Sequence, residues 1–433
     1  MSSKFKSAFE IEDVARSFDL FYRAAILNRL SIAAWRCPNR QNTNLIIDLS
    51  GGADRVDLNL SLLKQGFVFS PFASHEEKSG FFIKANLHLN ETTCIFNDFS
   101  NGHIDADITC NKLRFESTLK ELSRTGFYQE PAKNWYIRNL SNPSVSATKE
   151  QEFCNWVAAA LEQIRKEKFR KVVLSRTHEV LLKDEFSVLG LFHNLCAEYP
   201  NVFVSLVAIP GNGTWVGATP ELLLSLDNQE LMTVALAGTQ PVTSSREIQT
   251  SKWGKKEIVE QEIVSEYIRD CFKQQNINDF SEHGPETVQI GNILHLQTKF
   301  IWRNSRHNEV DVVNRLLSSL HPTPAVCGVT KKAALEFIEK TESHKREFYA
   351  GILGPVNIKN RSRLFANLRC LQLQNHSAIL YAGGGITIDS IPKQEWLETE
   401  LKLNALLKFI QKPNELPLSE RVDSARSLEG ALG

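Results

Sequence analysis

The chain has 433 residues, and its 50 Lys and Arg balance 50 Asp and Glu, so the formal net charge is zero. That balance, with no long basic run, argues against nucleic acid as a partner, because a polyanion binder carries a Lys/Arg excess that releases counterions from phosphates. With 42% hydrophobic and 23% charged residues the composition is that of a folded globular protein, not a disordered or fibrous one.

No stretch approaches the roughly 18 apolar residues of a membrane span, and the N-terminus lacks the apolar core and cleavage site of a secretory signal. The eight Cys are scattered, with no CxxC pair and no Cys/His cluster at zinc spacing, so they read as reduced thiols. A soluble, cytoplasmic protein is expected, as a monomer or weak dimer.

Residues 1–145 are irregularly patterned. A helix is expected from Val14 to about Ile32, then strands at Leu45–Ser50, Phe67–Ser70 and Gly80–Leu87, with no catalytic constellation. A Ser/Asn/Pro-rich stretch from Asn139 marks a connection, and residues 146–412 carry sharper signals. Thr148 is placed to cap a helix whose apolar residues Phe153, Val157, Leu161 and Ile164 recur at helical spacing, after which Lys171–Thr177 reads as a strand. A helix from Ser187 and a series of β-rich runs follow, two of them joined by the Pro210–Gly213 turn and therefore antiparallel. Further helices fit Lys255 to Gln275, Lys331 to Lys340 and Pro392 to Ile410; strands fit Phe348 to Val356, Leu364 to Leu373 and Ala378 to Ala382. This is not the βαβ alternation of a doubly wound fold. Residues 413–433 turn polar, and the last ten look like a vector-encoded extension.

The C-terminal helix carries Glu395, Glu398 and Lys402 at i, i+3 and i+7, all on one face. Such a face is ordinarily a solvated, salt-bridged surface, but it follows Gly383-Gly384-Gly385, read as a glycine turn that lets a ligand approach the backbone. The helix from Lys255 carries Glu257, Glu260, Glu262 and Glu266, again most simply a wet face. Should Glu260 instead meet Glu398 across a cleft, two hard oxygen ligands would suit Mg²⁺. Lys171 and Glu221, each at the start of a strand, are unremarkable alone. His321 sits in a Pro-flanked turn, ordinarily a hydrogen-bonded loop histidine, and His295 lies in an apolar run, where a core histidine is the simple reading.

Order decides more than any single motif. Lys171-Val-Val-Leu-Ser-Arg, Gly217-Ala-Thr-Pro-Glu-Leu, Leu236-Ala-Gly-Thr, Lys256-Glu-Ile-Val-Glu, His295-Leu-Gln-Thr, His321-Pro-Thr-Pro-Ala-Val-Cys-Gly, Arg346-Glu-Phe-Tyr-Ala-Gly, Leu368-Arg-Cys, Ala382-Gly-Gly-Gly-Ile and Glu395-Trp-Leu-Glu-Thr run in the order found in chorismate-utilising enzymes. From about residue 150 to 410 the chain resembles that family, and within it the isochorismate synthases.

The resemblance implies an α+β sandwich of mostly antiparallel sheets with helices packed outside, and a Mg²⁺-dependent site for the small molecule chorismate in the C-terminal half. It implies Lys171 as general base and Glu221 as general acid. Glu260 and Glu398 would be Mg²⁺ ligands, with Glu395 supporting the metal through water. Tyr349, Arg369, the backbone at Gly384 and Gly385, and Lys402 would hold the substrate carboxylates, while Gly238, Thr239, His321, Ala325 and Val326 line the pocket. Water would add at C2 of chorismate as the C4 hydroxyl leaves, which requires a neutral lysine and a protonated glutamic acid. Two positions depart from the pattern: Gln261 stands where His often follows the metal-binding Glu, and Val329-Thr330 where an apolar-Pro pair is common. The overall length and N-terminal half look more like the menaquinone-branch enzymes than the shorter siderophore ones. A salicylate synthase, which also eliminates pyruvate, is the enzyme alternative; an inactive chorismate-binding scaffold is the other.

Overall fold

The computed structural model describes residues 14–411 apart from 74–77, 91–92, 98–104, 126–134, 139–146, 228–229, 242–251, 291–292 and 304–309. The expected polar tail and the Asn139 connection lie outside the described residues.

In chain order the first part comprises α1 (Val14–Leu27), β1 (Ser31–Arg36), β2 (Thr43–Asp48), β3 (Asp54–Val56), β4 (Gly66–Ser70), β5 (Gly80–Lys84), β6 (Leu87–Asn90), β7 (Thr93–Phe96) and α2 (Ala106–Thr125). Then come α3 (Glu150–Arg165), β8 (Lys171–Leu181), α4 (Val188–Glu198), β9 (Phe203–Ile209), β10 (Gly213–Thr219), β11 (Leu222–Asp227), β12 (Glu230–Pro241) and α5 (Lys255–Gln274). The remainder is β13 (Ser281–Ile290), β14 (Ile293–Arg303), α6 (Val310–Leu320), β15 (Gly328–Val329), α7 (Lys331–Thr341), β16 (Ile352–Val356), β17 (Arg361–Ala366), β18 (Cys370–Leu373), β19 (Ser377–Ile386) and α8 (Pro392–Gln411).

The strands form two antiparallel sheets. The first runs β15-β8-β19-β18-β10-β9-β1-β2-β6-β7 and the second β13-β14-β12-β11-β17-β16-β4-β5-β3. Alternation along the strands explains the layers, because successive side chains point to opposite faces. Ala33 and Trp35 of β1, Phe67 and Phe69 of β4, and Phe203 and Val207 of β9 meet between the sheets, and α3 and α7 complete that core. Their neighbours Ile32, Ala34, Val204 and Leu206 join the cluster formed with α1, α2, α4 and α8. Val68, Leu224 and Leu364 join one formed with α5 and α6. The fold is thus the expected α+β sandwich with helices outside, and strands from residues 31–96 sit in both sheets.

Several local expectations change. The first helix ends at Leu27, and Ile32, expected at its end, belongs to β1. Lys149, not Thr148, is the N-cap of α3; Thr148 Oγ1 instead accepts the Thr177 backbone N–H at 3.2 Å. Ser187 does cap α4, accepting Gly190 N–H. The run read as one strand from Leu364 to Leu373 is two strands in different sheets, with the break at Asn367–Arg369. The three glycines form no turn: Gly383, Gly384 and Gly385 pair with Ser175, Leu174 and Val173 inside β19.

Candidate active site

Two of the links that carry the chain from one sheet to the other run side by side. One joins β10 to β11 through Pro220 and Glu221; the other joins β17 to β18 through Asn367, Leu368 and Arg369. Ala218 N–H donates to Arg369 O and Ala366 N–H to Glu221 O, each at 3.0 Å, while the Thr219 hydroxyl donates to Ala366 O at 2.6 Å. Glu221 and Arg369 are therefore brought to one place by a seam of hydrogen bonds. Arg369 adopts φ +47° there, a conformation uncommon for a side-chain-bearing residue and frequent at functional sites.

A cavity opens at this seam. Lys171, Glu221, Gly238, Thr239, Glu260, Ala325, Val326, Tyr349, Arg369, Gly385, Glu398 and Lys402 all line it, so twelve positions named from sequence converge. Val173, His295, Leu368 and Tyr381 line it as well. Glu260 comes from α5, packed on β12 and β14 of the second sheet, and Glu398 and Lys402 from α8, packed on β19 of the first. Lys256 of α5 reaches Glu395 of α8 at 2.9 Å and ties the two helices together.

Each of the two cavity-lining carboxylates on these helices has a lysine. Lys171 Nζ donates to Glu260 Oε1 at 3.0 Å, and Lys402 Nζ to Glu398 Oε1 at 2.7 Å and to Gly383 O at 2.8 Å. Gly385 is required by the first pair: a Cβ there would lie 2.6 Å from Glu260 Oε1 and 2.8 Å from Lys171 Cε. Burial works to raise the Glu260 carboxyl, but Lys171, Lys402 and Lys256 together hold it below its ordinary value. Glu221 goes the other way. Burial, only partly offset by Lys171, Arg369 and Lys402, lifts it to about 8, so it is a protonated acid at neutral pH.

His295 was read as a core histidine, yet it is tied to the site. Its Nε2 accepts an Arg369 guanidinium N–H at 3.1 Å, which leaves Nδ1 to donate to Gly238 O at 2.9 Å. Burial, with Arg369 and Lys402 nearby, pushes its pKa down to about 3, so it is neutral, as an acceptor for arginine must be. Sequence alone gave no signal for this bond between residues 74 positions apart. The wall is fixed from behind by Arg346, which donates to Val326 O at 2.8 Å and Val173 O at 2.6 Å while pairing with buried Glu342.

Three named residues are not on the cavity wall. His321 points away: its ring meets Phe72 O at 3.1 Å, and burial holds its pKa down at about 4. The Pro-flanked turn was legible, but the buried carbonyl that claims the ring was not. Glu395, 1% exposed, is occupied by Lys256. Gly384 lies behind the wall, where a Cβ would meet Glu395 Oε2 at 3.5 Å.

The family described as chorismate binding enzyme matches residues 47–411. The chain belongs to the chorismate-binding enzymes. Among its relatives it is 25% identical to the vibriobactin-specific isochorismate synthase of Vibrio cholerae over 61% of this chain and 67% of that protein. It is 30% identical to isochorismate synthase EntC of Escherichia coli over 55% of this chain and 61% of that protein; the match thus spans about two thirds of these relatives' lengths. The solved structure of MenF, the menaquinone-specific isochorismate synthase from Escherichia coli, superposes with a TM-score of 0.71 at 20% identity, covering 95% of this chain and 94% of that one. That likeness is one of fold.

Within this chorismate-binding enzyme the donors available to a metal are hard carboxylate oxygens. Among the described residues no three His, Cys, Asp or Glu side chains form a ready metal cage. Glu260 and Glu398 nevertheless face one cavity, which fits an ion such as Mg²⁺ that keeps waters and uses one or two carboxylates plus substrate. No helix of the described residues is long and apolar enough to cross a membrane.

Proposed function

We propose that the chain is an isochorismate synthase that converts chorismate reversibly to isochorismate. The observation that carries this reading is the pairing, in one cavity, of a buried lysine with a buried glutamic acid that burial keeps protonated up to about pH 8. The Vibrio and Escherichia relatives, both isochorismate synthases, support it.

Lys171, turned from Glu260 toward a water, takes that water's proton as its oxygen bonds to C2 of the ring. The ring double bonds shift and the C4–O bond breaks. Glu221 delivers its proton to the departing oxygen, which leaves as water, so one water enters and one departs. Arg369, oriented by His295, and Lys402 hold the two carboxylates of chorismate, the guanidinium through paired N–H donors. We assign Glu260 and Glu398 to Mg²⁺, while Glu395, held by Lys256 off the cavity wall, ties α8 to α5. Bound there, the ion supplies a hard positive charge against the substrate carboxylate and the two glutamates.

Chromatography of products from chorismate with and without Mg²⁺ tests the reading. Isochorismate alone, Mg²⁺-dependent and formed reversibly, is expected; stoichiometric salicylate and pyruvate would replace it with a salicylate synthase, and no turnover with an inactive binder. For the pathway, length and the N-terminal half favour the menaquinone branch. Deleting the gene in its host should abolish menaquinone and leave catechol siderophore intact.

A further inference from the structure

The motif Lys171-Val-Val-Leu-Ser-Arg ends on a residue that the proposed reaction does not use. Arg176, 1% exposed, lies on β8, the strand that begins with Lys171, and reaches α8 in three ways. Its Nε donates to Thr399 Oγ1 at 2.6 Å, and Nη2 donates to Glu400 Oε1. Its guanidinium carbon stands 3.8 Å from the centre of the Trp396 ring, a stacking contact that planar arginine makes well and lysine does not. Thr399 is itself fully buried, and its hydroxyl donates to Trp396 O at 2.7 Å.

These contacts fall between the functional residues of the helix. Thr399 adjoins Glu398, and Glu395, Thr399 and Lys402 share a face at helical spacing. On the next strand Ala382 pairs with Arg176, and the adjacent Gly383 carbonyl receives Lys402. A helix rotates about 100° and rises about 1.5 Å per residue, so its rotation and axial position together decide whether Glu398 and Lys402 enter the cavity. A displacement of about 1 Å at such groups costs on the order of 10²-fold in rate.

We propose that Arg176 is a positioning residue that sets α8 against β8, and thereby Glu398 and Lys402 against Lys171. The proposal rests on the isochorismate synthase reading for its kinetic arm only. Glu221 and Lys171 are not on α8, so loss of the anchor should fall on binding more than on the acid.

Arg176→Lys and Arg176→Met test it, with hydrogen exchange followed in α8 and in α6, which packs on α5 and not on α8, as the control helix. Exchange in α8 should accelerate selectively. KM for chorismate should rise about tenfold or more, while the falling limb of the pH profile stays in place. The Lys variant, which keeps the charge but not the fork or the stack, should recover part of both effects. Equal loss of protection in α6 and α8 with unchanged KM would overturn the proposal and leave Arg176 as a general stabiliser. If the Met variant does not fold, Thr399→Val and Glu400→Gln decide: a raised KM with selective α8 exchange supports the anchor, and unaltered values in both overturn it. Because exchange needs no turnover, failure of the unmodified chain to convert chorismate counts against the proposed reaction and not against the anchor.

Discussion

Glu221 is the residue on which pH acts most directly. Burial lifts its carboxyl from 4.5 to about 8, so the folded chain holds a proton that the unfolded chain releases. The stability this brings is complete below pH 4.5 and is lost as the pH rises through about 8. Glu221→Gln removes the titration, and should melt higher than the unmodified chain at pH 9 but not at pH 4.5, by a few kcal/mol at most. Its kcat should fall about 10² to 10⁴-fold, and the residual activity should lose the falling limb near pH 8. Thermal melts and pH–rate profiles of the same variant check both halves. Gly385→Ala tests geometry instead of protonation. The added methyl meets only the far ends of Lys171 and Glu260, which move more cheaply than backbone. Melting should shift little while kcat drops by about 10²-fold, the scale of a 1 Å misplacement.

Elements rather than single residues assemble the charged part of the site. Glu260 and Glu398 ride on helices packed against opposite sheets and joined by Lys256–Glu395. Glu260→Gln and Glu398→Gln each delete a hard negative donor while keeping shape, and should lower activity by orders of magnitude with a raised Mg²⁺ requirement; Mg²⁺ titrations of both variants read this out, and wild-type curves would refute the ligand assignment. Helices were legible in the sequence because their apolar spacing and order of acidic residues survive in any context, and so Glu260, Glu398 and Lys402 were found. The path between sheets was not legible. Leu364–Leu373 keeps a strand-like pattern around Asn367, Arg369 and Gln372, and that pattern alone does not distinguish a strand that continues from one that leaves its sheet at Asn367. Glycine misled for a related reason: Gly383 and Gly385 are strand positions kept bare because Tyr349, in the first case, and Lys171 and Glu260, in the second, occupy the space their side chains would fill, whereas the sequence suggested a turn. His295 and His321 each find a partner through tertiary packing, and no local pattern announces which.

Across the whole molecule, the division into a quiet first part and a motif-rich second part is a division of motifs, not of folding units. β1 pairs with β9 and β4 with β16, so strands of the first part complete sheets that the second part starts. A fragment beginning at residue 147 would leave β9 and β16 with bare edges, which invite association with other chains. Such a fragment should sediment as aggregate on expression, whereas the full chain stays in the supernatant. The same weaving gives the seam at Glu221 and Arg369 its meaning. The proposed proton donor and carboxylate grip stand on two neighbouring links between the layers, stitched by Ala218, Thr219 and Ala366. An enzyme built on such links has no soft stage in which the layers drift while chemistry persists: residual turnover and near-ultraviolet dichroism should decay on one curve during heating. It also has little freedom to lengthen those links in evolution, because one inserted residue in either would pull the acid away from the grip.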